Sequence, residues 1–259
     1  MTRILFIIAG ASLVLCLACL GGAAALGSRD LAANDWTWVV TEDGTGDNDL
    51  RFERGKVSPD ATRTLAWSGG QSLTVDLPAD VTYVQGDKPG VVISGPRTAV
   101  DRVRLVDGRL TLVEDDEEHE RGYNRVRNGS IRVWNETEML KITVTAPNVN
   151  SFRSAGSGDL TVEGYNQPTL NLLLDGSGDV EVTGRAASLD VRLNGYGDAD
   201  LQGLEVKDAK LDNAGEGEIN VGPTGDVMVD VTSDGDVHLT RRPANLERNV
   251  TGDGEITGA

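Results

Sequence analysis

The chain contains 259 residues, of which 24 are Lys or Arg and 41 are Asp or Glu, so its formal net charge is −17 at pH 7. Nucleic acids and anionic membrane surfaces are bound through clustered basic residues, and this charge balance argues against both. It favours solubility and basic or cationic partners instead.

Residues 1–25 contain a single basic residue, Arg3, and continue from Ile4 as an apolar, uncharged segment. A basic start, an uncharged run and a small-residue end are typical of a secretory signal peptide, with cleavage expected after Ala25. Two alternatives remain open, because the run is long enough to stay as a membrane anchor and Cys19 could carry a lipid. All three predict export to the periplasm or cell surface, with membrane contact only through this segment if it is not cleaved.

The residues that follow the apolar segment predict strands rather than helices. Residues 26–60 have no clear period and are expected to form a tether and a first strand. Residues 61–147 contain several short alternating runs, which predict a strand-rich N-terminal part that is not in register with the region after it. Within this part, residues 114–130 begin as a dense acidic run and are expected to be a solvated insertion.

Residues 148–259 repeat a short motif, a turn of the form G-x-G-[Asp/Glu] followed by an alternating strand. The turn acids are separated by 20, 19, 20, 18 and 19 residues, and near-equal intervals of this size indicate a repeat architecture. Paired glycines in a turn suit backbone at positive φ. The acids are Asp159, Asp179, Asp198, Glu218, Asp236 and Glu255. The structural turn glycines are Gly156, Gly158, Gly176, Gly178, Gly195, Gly197, Gly215, Gly217, Gly252 and Gly254.

Apolar residues alternate with polar ones on both sides of every turn, which predicts half-buried strands. Two short strands and two turns in about 19 residues leave no room for a crossover helix. Equivalent strands are therefore expected to stack in parallel, coil upon coil, at about 4.8 Å. The predicted fold is all-β: a right-handed parallel β-solenoid, or β-helix, of about six short coils, preceded by the strand-rich N-terminal half.

Two polar residues occupy positions that other coils give to aliphatic ones. Arg248 and Asn213 stand in the apolar rows. Because burial of an unpaired guanidinium is costly, the coil around Arg248 is expected to be open on that side or turned outward. We expect this last coil to act as a polar cap and the protein to be a monomer.

Three segments carry a family resemblance: residues 107–110 read DGRL, residues 141–147 read KITVTAP, and residues 156–159 read GSGD, with later copies. In these segments, and over about residues 64–259, the chain resembles the putative auto-transporter adhesin head GIN domain family. The resemblance implies an exported β-solenoid, and the family's name suggests adhesion.

The turn acids have two interpretations. Each carboxylate caps its own turn through backbone N–H groups, or the row of acids binds cations loosely. The first is preferred, because calcium-binding repeats are shorter and supply more ligands per repeat. No dedicated metal site and no cofactor are therefore predicted.

The sequence predicts no catalytic residues. His119 and His238 are the only histidines, and the turns of the repeat are too short to enclose a pocket. The predicted function is a non-enzymatic adhesion or interaction scaffold of the cell envelope, whose partner is an unidentified protein or polysaccharide. The alternatives are a structural or regulatory envelope protein and a polysaccharide-acting β-helix enzyme.

Overall fold

The computed structural model describes residues 37–42, 50–54, 58–113, 122–127 and 130–258. The predicted signal segment and His119 lie outside these residues. The chain divides into two compact units, residues 1–57 with 117–135 and residues 58–116 with 136–259. Within the described residues, no helix is long and apolar enough to cross a membrane.

The first unit contains a four-stranded antiparallel sheet. Its strands are β1 (Thr37–Glu42), β2 (Leu50–Arg54), β9 (Gly122–Arg127) and β10 (Ser130–Asn135), in the order β10–β9–β1–β2. Strand β9 begins inside the stretch that the sequence predicts to be a solvated insertion. Residues 122–127 pair with β1 on one side and with β10 on the other, so this part of the stretch is a strand, and its exposure to solvent stays a prediction.

The second unit is built almost entirely of strands. Its first part contains β3 (Asp60–Leu65), β4 (Ser72–Asp76), β5 (Asp80–Gln85), β6 (Gly90–Pro96), helix α1 (Arg97–Arg102), β7 (Val103–Val106), β8 (Arg109–Leu112), a 3₁₀ turn (Thr137–Met139) and β11 (Lys141–Ala146). The remainder contains β12 (Ser151–Ser154), β13 (Leu160–Leu174), β14 (Val180–Leu193), β15 (Ala199–Leu201), β16 (Leu204–Asn213), β17 (Ile219–Val221), β18 (Asp226–Val231), β19 (Val237–Leu239), β20 (Asn245–Val250) and β21 (Ile256–Gly258).

The strands of the repeat stack in parallel on one another, so the predicted β-solenoid is confirmed, with about five turns rather than six. The strand after each turn acid forms one face, which we call the first wall, and there Leu160 lies opposite Val180. The strand before each turn forms the second wall, where Leu172 lies opposite Val191. Both walls follow from the apolar period of two, which turns every second side chain into the core.

Two strands of the strand-rich N-terminal part, β4 and β5, are in register with the repeat, contrary to the sequence-based expectation. Strand β4 runs parallel to β12 with Leu73 opposite Phe152, and β5 runs parallel to β13 with Val81 opposite Leu160. The two strands therefore form an additional coil, whose turn reads LPAD where the next coil reads GSGD. This coil was missed because its turn contains no glycine.

The repeated glycines are required by the stacking of turns rather than by unusual φ angles. The positive-φ glycines of the described residues do not include the predicted turn glycines. A Cβ atom placed on Gly178 would overlap the carbonyl oxygen of Gly158, and one on Gly197 would overlap that of Gly178. The expected reason for these glycines is therefore wrong: each turn lies so close to the previous one that no side chain fits between them.

The core changes from aromatic to aliphatic along the stack. Tyr83 is buried in the additional coil, and Phe152 and Tyr165 are buried in the next one. Their rings meet edge to face, with centroids 5.0 Å apart for Tyr83 and Phe152 and 6.3 Å apart for Phe152 and Tyr165. The hydroxyl group of Tyr83 donates to the carbonyl oxygen of Ala146 at 2.7 Å, and burial raises the pKa of both tyrosines. The later coils are filled by Leu, Val, Ile and Ala.

Asn213 and Arg248 behave differently from each other. The Asn213 side chain is buried within the stack and fully hydrogen-bonded, so it does not mark an open coil. Arg248 lies opposite Val229, and every residue of its strand β20 is exposed. Among the described residues, the last coil is therefore open where Arg248 replaces an aliphatic residue, as the sequence predicts.

Candidate functional site

The six predicted turn acids lie in one exposed row along a corner of the solenoid. The stacking of equivalent turns brings each of them beside the corresponding acid of the next coil. The alanine-containing turn of the additional coil adds a seventh exposed acid, Asp80, directly before Val81. The sequence signal for it was present, because Leu73, Val81 and Tyr83 stand at the same offsets from Asp80 as in the repeat.

The aspartates of this row connect neighbouring coils. Oδ1 of Asp159 accepts a hydrogen bond from the backbone N–H of Asp179 at 3.0 Å, and Oδ1 of Asp179 accepts one from Asp198 at 2.9 Å. In the same way the backbone N–H of Glu218 donates to Oδ1 of Asp198 at 2.8 Å, and that of Glu255 donates to Oδ1 of Asp236 at 2.7 Å. For these four aspartates the expectation that each acid caps its own turn is wrong, because the carboxylate accepts from an N–H group of the following coil. For Glu218 and Glu255 it stays a prediction.

One oxygen of each linking aspartate remains available. Within the described residues, Oδ2 of Asp159, Asp179, Asp198 and Asp236 has no hydrogen-bond partner. The backbone N–H bonds offset part of the repulsion between carboxylates that lie about 4.8 Å apart. The corner therefore presents a line of anionic acceptors at the spacing of the coils.

The outward residues of the first wall form a second acidic row beside the corner. Glu181 and Asp200 lie opposite each other in β14 and β15, between Thr161 and Asn220. Together with the turn acids they line an open depression of about 400 Å³, which we call the acidic groove. Its polar lining residues are Asp159, Thr161, Asp179, Glu181, Asp198, Asp200 and Asn220, and none of the described residues that line it is basic.

Glu181 and Asp200 were not among the predicted site residues. The signal for them was the alternation itself, which places the residue two positions after each turn acid on the outer surface. No group of three or more His, Cys, Asp or Glu side chains that could hold a metal ion occurs in the described part of the chain. The groove therefore offers separated carboxylates along a line, which suits hydrogen-bond donors and positive charges that are themselves spaced along a partner.

The second wall differs from the groove because several of its charges are paired. Arg153 lies 2.7 Å from Asp175, and Lys210 lies 2.7 Å from Asp212. A smaller depression of about 240 Å³ on this wall is lined by Ser151, Asn171, Leu173, Asp190 and Arg192, among others. These exposed pairs contribute little to stability, but they leave this wall with less uncompensated charge than the groove.

His238 lies in the outward row of the first wall, between Asn220 and Thr257. Its Nδ1 atom is 2.9 Å from Oγ1 of Thr257. In the same outward row, His238 lies two coils beyond Asp200, the last carboxylate of that row in the acidic groove. The structure therefore does not bring His238 together with Glu181 or Asp200.

The fold and the corner define a class: a parallel β-solenoid with tightly stacked G-x-G-[Asp/Glu] turns. A model of the family described as "putative auto-transporter adhesin, head GIN domain" matches residues 71–243, and the chain belongs to this family. The resemblance seen in the sequence is thereby confirmed.

Solved structures of similar fold include a protein described as a putative adhesin from Bacteroides fragilis. It is 21% identical, with a TM-score of 0.58, and the match covers 76% of this chain and 96% of that one. A protein described as a putative lipid binding protein from Parabacteroides distasonis is 17% identical, with a TM-score of 0.42 and coverage of 76% and 95%. The first of these supports the fold. A search of curated proteins gave no match.

Proposed function

We propose that this protein is an exported, non-enzymatic scaffold of the cell envelope that attaches to a partner through the acidic groove. The observation that carries the proposal is the row of available carboxylate oxygens, repeated coil after coil and without basic side chains in the groove lining. Membership of an adhesin head family and the apolar segment at residues 1–25 support adhesion and export.

The groove favours a linear partner with positive charges or N–H donors along its length. The inter-coil hydrogen bonds hold the turn carboxylates in place, so the groove loses little conformational entropy when a partner binds. Because the acids are exposed, their attraction is screened within about 8 Å at physiological ionic strength. Binding is therefore expected to weaken as salt is added.

The location of the contact is tested by a photo-reactive amino acid introduced into the full chain in living cells. Placed at Glu181 in the groove, it is expected to give covalent adducts with a partner. Placed at Glu205, an exposed residue outside the groove, it serves as the matched control and is expected to give few. Equal adducts at both positions, or none at Glu181, would contradict the groove as the binding surface.

The charge requirement is tested by neutralising the groove without removing its inter-coil hydrogen bonds. A variant that carries the photo-reactive residue at position 181 together with Asp159→Asn, Asp179→Asn, Asp198→Asn and Asp200→Asn keeps a side-chain oxygen at each neutralised position. The control neutralises four acids of the second-wall strands, with Asp190→Asn, Asp212→Asn, Asp230→Asn and Glu247→Gln. Loss of the adducts in the first variant alone is expected.

Fractionation of the same cells tests export, and recovery of the protein in the cytoplasm would contradict it.

A further inference from the structure

The open edge of the last coil has the properties of a second binding surface, distinct from the acidic groove. Strand β20 pairs in parallel with β18, and no other described strand pairs with its outer edge. Three of its residues, Leu246, Arg248 and Val250, continue the rows whose side chains face the core in earlier coils, and we call these the inward rows. Leu246 is 37% exposed and Val250 is 43% exposed. The equivalent residues one coil earlier, Val227, Val229 and Val231, are buried.

The backbone of this edge is oriented to receive another strand. In the stack, inward-row residues direct their carbonyl groups at the next coil: Leu174 accepts from Asn194 N–H at 2.8 Å, and Val231 accepts from Thr251 N–H at 2.9 Å. By the same alternation Leu246, Arg248 and Val250 direct their backbone groups away from β18. Such an edge can add an extended peptide as one more strand.

Arg248 determines what kind of strand fits. Among the described coils, it is the one charged residue in the inward rows, and its row runs through Leu172, Val191, Leu211 and Val229. An added parallel strand places one side chain directly over Arg248, where a carboxylate forms an ion pair and an aliphatic group leaves the guanidinium unpaired. Its neighbours two positions away lie over Leu246 and Val250 and are best filled by aliphatic residues.

Arg248 also acts against self-association at this edge. Two copies that pair their β20 strands antiparallel, with the inward faces matched, place Arg248 opposite Arg248 and Leu246 opposite Val250. The aliphatic contacts favour this pairing, whereas the two like charges directly opposite each other oppose it. A strand with an acid at the centre meets no such repulsion.

We propose that the outer edge of β20 is a docking site for an extended strand of a partner protein that carries the pattern aliphatic-x-acidic-x-aliphatic. The strand adds in parallel to β20, its acid pairs with Arg248, and its aliphatic residues cover Leu246 and Val250. The acidic groove plays no part in this contact.

The test uses the full chain and two fluorescent peptides, Thr-Val-Thr-Glu-Thr-Val-Thr and the same peptide with Lys in place of Glu. Fluorescence polarisation is expected to show at least about tenfold tighter binding of the Glu peptide, and Arg248→Glu is expected to reverse the preference. Arg248→Gln, which is uncharged, is expected to abolish the preference. Arg192→Glu, at an exposed arginine of the second wall, is the control and should leave it unchanged.

Several outcomes would overturn the proposal. Binding of neither peptide, equal binding of both, or a preference unaffected by Arg248→Glu would each exclude the charge-selected edge. Sedimentation of the parent chain gives the remaining check. A dimer of the parent chain whose formation competes with binding of the Glu peptide would identify a second copy, not an acidic strand, as the occupant of the edge.

Discussion

The Nδ2 atom of Asn213 lies 3.1 Å from the carbonyl oxygen of Asp236, one coil further along the stack. The same amide donates to the carbonyl oxygen of Gly217 at 2.9 Å, and Oδ1 of Asn213 accepts from Gly215 N–H at 3.2 Å. Asn213 thus joins its own turn to the next one, which is the one turn of the repeat that lacks its first glycine, with Ser233 in that place. A polar residue in an apolar row is here a structural connection between two dissimilar coils.

Asn213→Leu is expected to destabilise the protein although it restores an aliphatic row between Leu193 and Val231. The substitution leaves backbone groups at Gly215, Gly217 and Asp236 with fewer partners, at a cost of about 2 kcal/mol in the free energy of unfolding. Urea denaturation measures this cost. The control is Asn171→Leu, at an exposed position, where a change below about 0.5 kcal/mol is expected. Equal stability of the Asn213→Leu variant and the parent would contradict the connecting role.

Much of the solenoid could be predicted from the sequence because each stacked row demands the same side-chain class at the same offset from the turn. Leu160, Val180 and Ile219 are an example of such a row. The coil that contains Asp80 has the same offsets, but it was missed because its turn contains no glycine to mark it. Glycine marks a turn that packs closely on the turn before it. Leu77 and Ala79 lie in the first described turn of the stack, so they can carry side chains, and it is Gly156 and Gly158 of the next turn that must fit against them.

The bonding of the candidate site was less predictable. The sequence places the turn acids in a row, but it does not tell whether a carboxylate bonds to its own turn or to the next coil. That choice depends on the distance between turns, which is short because Gly158 and Gly178 have no side chains. For the same reason, the partners of Asn213 could not be read from its neighbours in the sequence.

Gly197→Ala is expected to disturb the stack, because the added Cβ atom would overlap the carbonyl oxygen of Gly178. The turns must separate to admit it, which breaks the link between Asp179 and the N–H of Asp198. We expect a loss of about 3 kcal/mol, at the upper end of ordinary single substitutions. Gly90→Ala is the control, since its Cβ atom would meet only the carbonyl oxygen of Leu65 at 3.8 Å. A thermal melt in which the two variants behave alike would exclude close turn contact as the reason for these glycines.

Leu172→Asp tests the assignment of the inner face of the second wall. Leu172 is 3% exposed, between Phe152 and Val191, so a carboxylate there would be buried without a partner. A loss of about 4 kcal/mol or more is expected in urea denaturation. Leu173→Asp changes the adjacent side chain, which points outward, and is expected to cost much less. Similar losses in the two variants would show that the inner and outer faces are assigned wrongly.

The last coil is expected to open most readily within the repeat. Strand β20 is exposed along its whole length and is held by pairing with β18 on one side only, among the described residues. Hydrogen exchange followed by mass spectrometry should therefore show the fastest exchange of the repeat at residues 245–258, because few buried contacts oppose local opening. The matched reference is the coil formed by β16 and β17, which has neighbours on both sides. Equal protection of the two coils would contradict this expectation.

Asp208 is expected to give a pH-dependent contribution to stability. The backbone N–H of Asp226 donates to its Oδ1 at 2.9 Å, and the Lys207 ammonium lies 3.0 Å from its Oδ2. The hydrogen bond from Asp226 first, and the one from Lys207 second, lower the pKa of Asp208 below its ordinary value. Because the folded-state pKa lies below the unfolded one, the stabilisation is complete above the unfolded pKa of about 3.9 and is lost as pH falls through the folded pKa.

The comparison of the parent chain with Asp208→Asn isolates this contribution from that of the other acids. Asn keeps an oxygen for the N–H of Asp226 but does not titrate, so the difference in unfolding free energy should be constant above about pH 5 and shrink below about pH 4. In an NMR titration, Lys207→Met should raise the pKa of Asp208 only part of the way to its ordinary value, because the bond from Asp226 remains. A difference that stays constant from pH 7 to pH 2 would show that Asp208 titrates alike in the folded and unfolded chains.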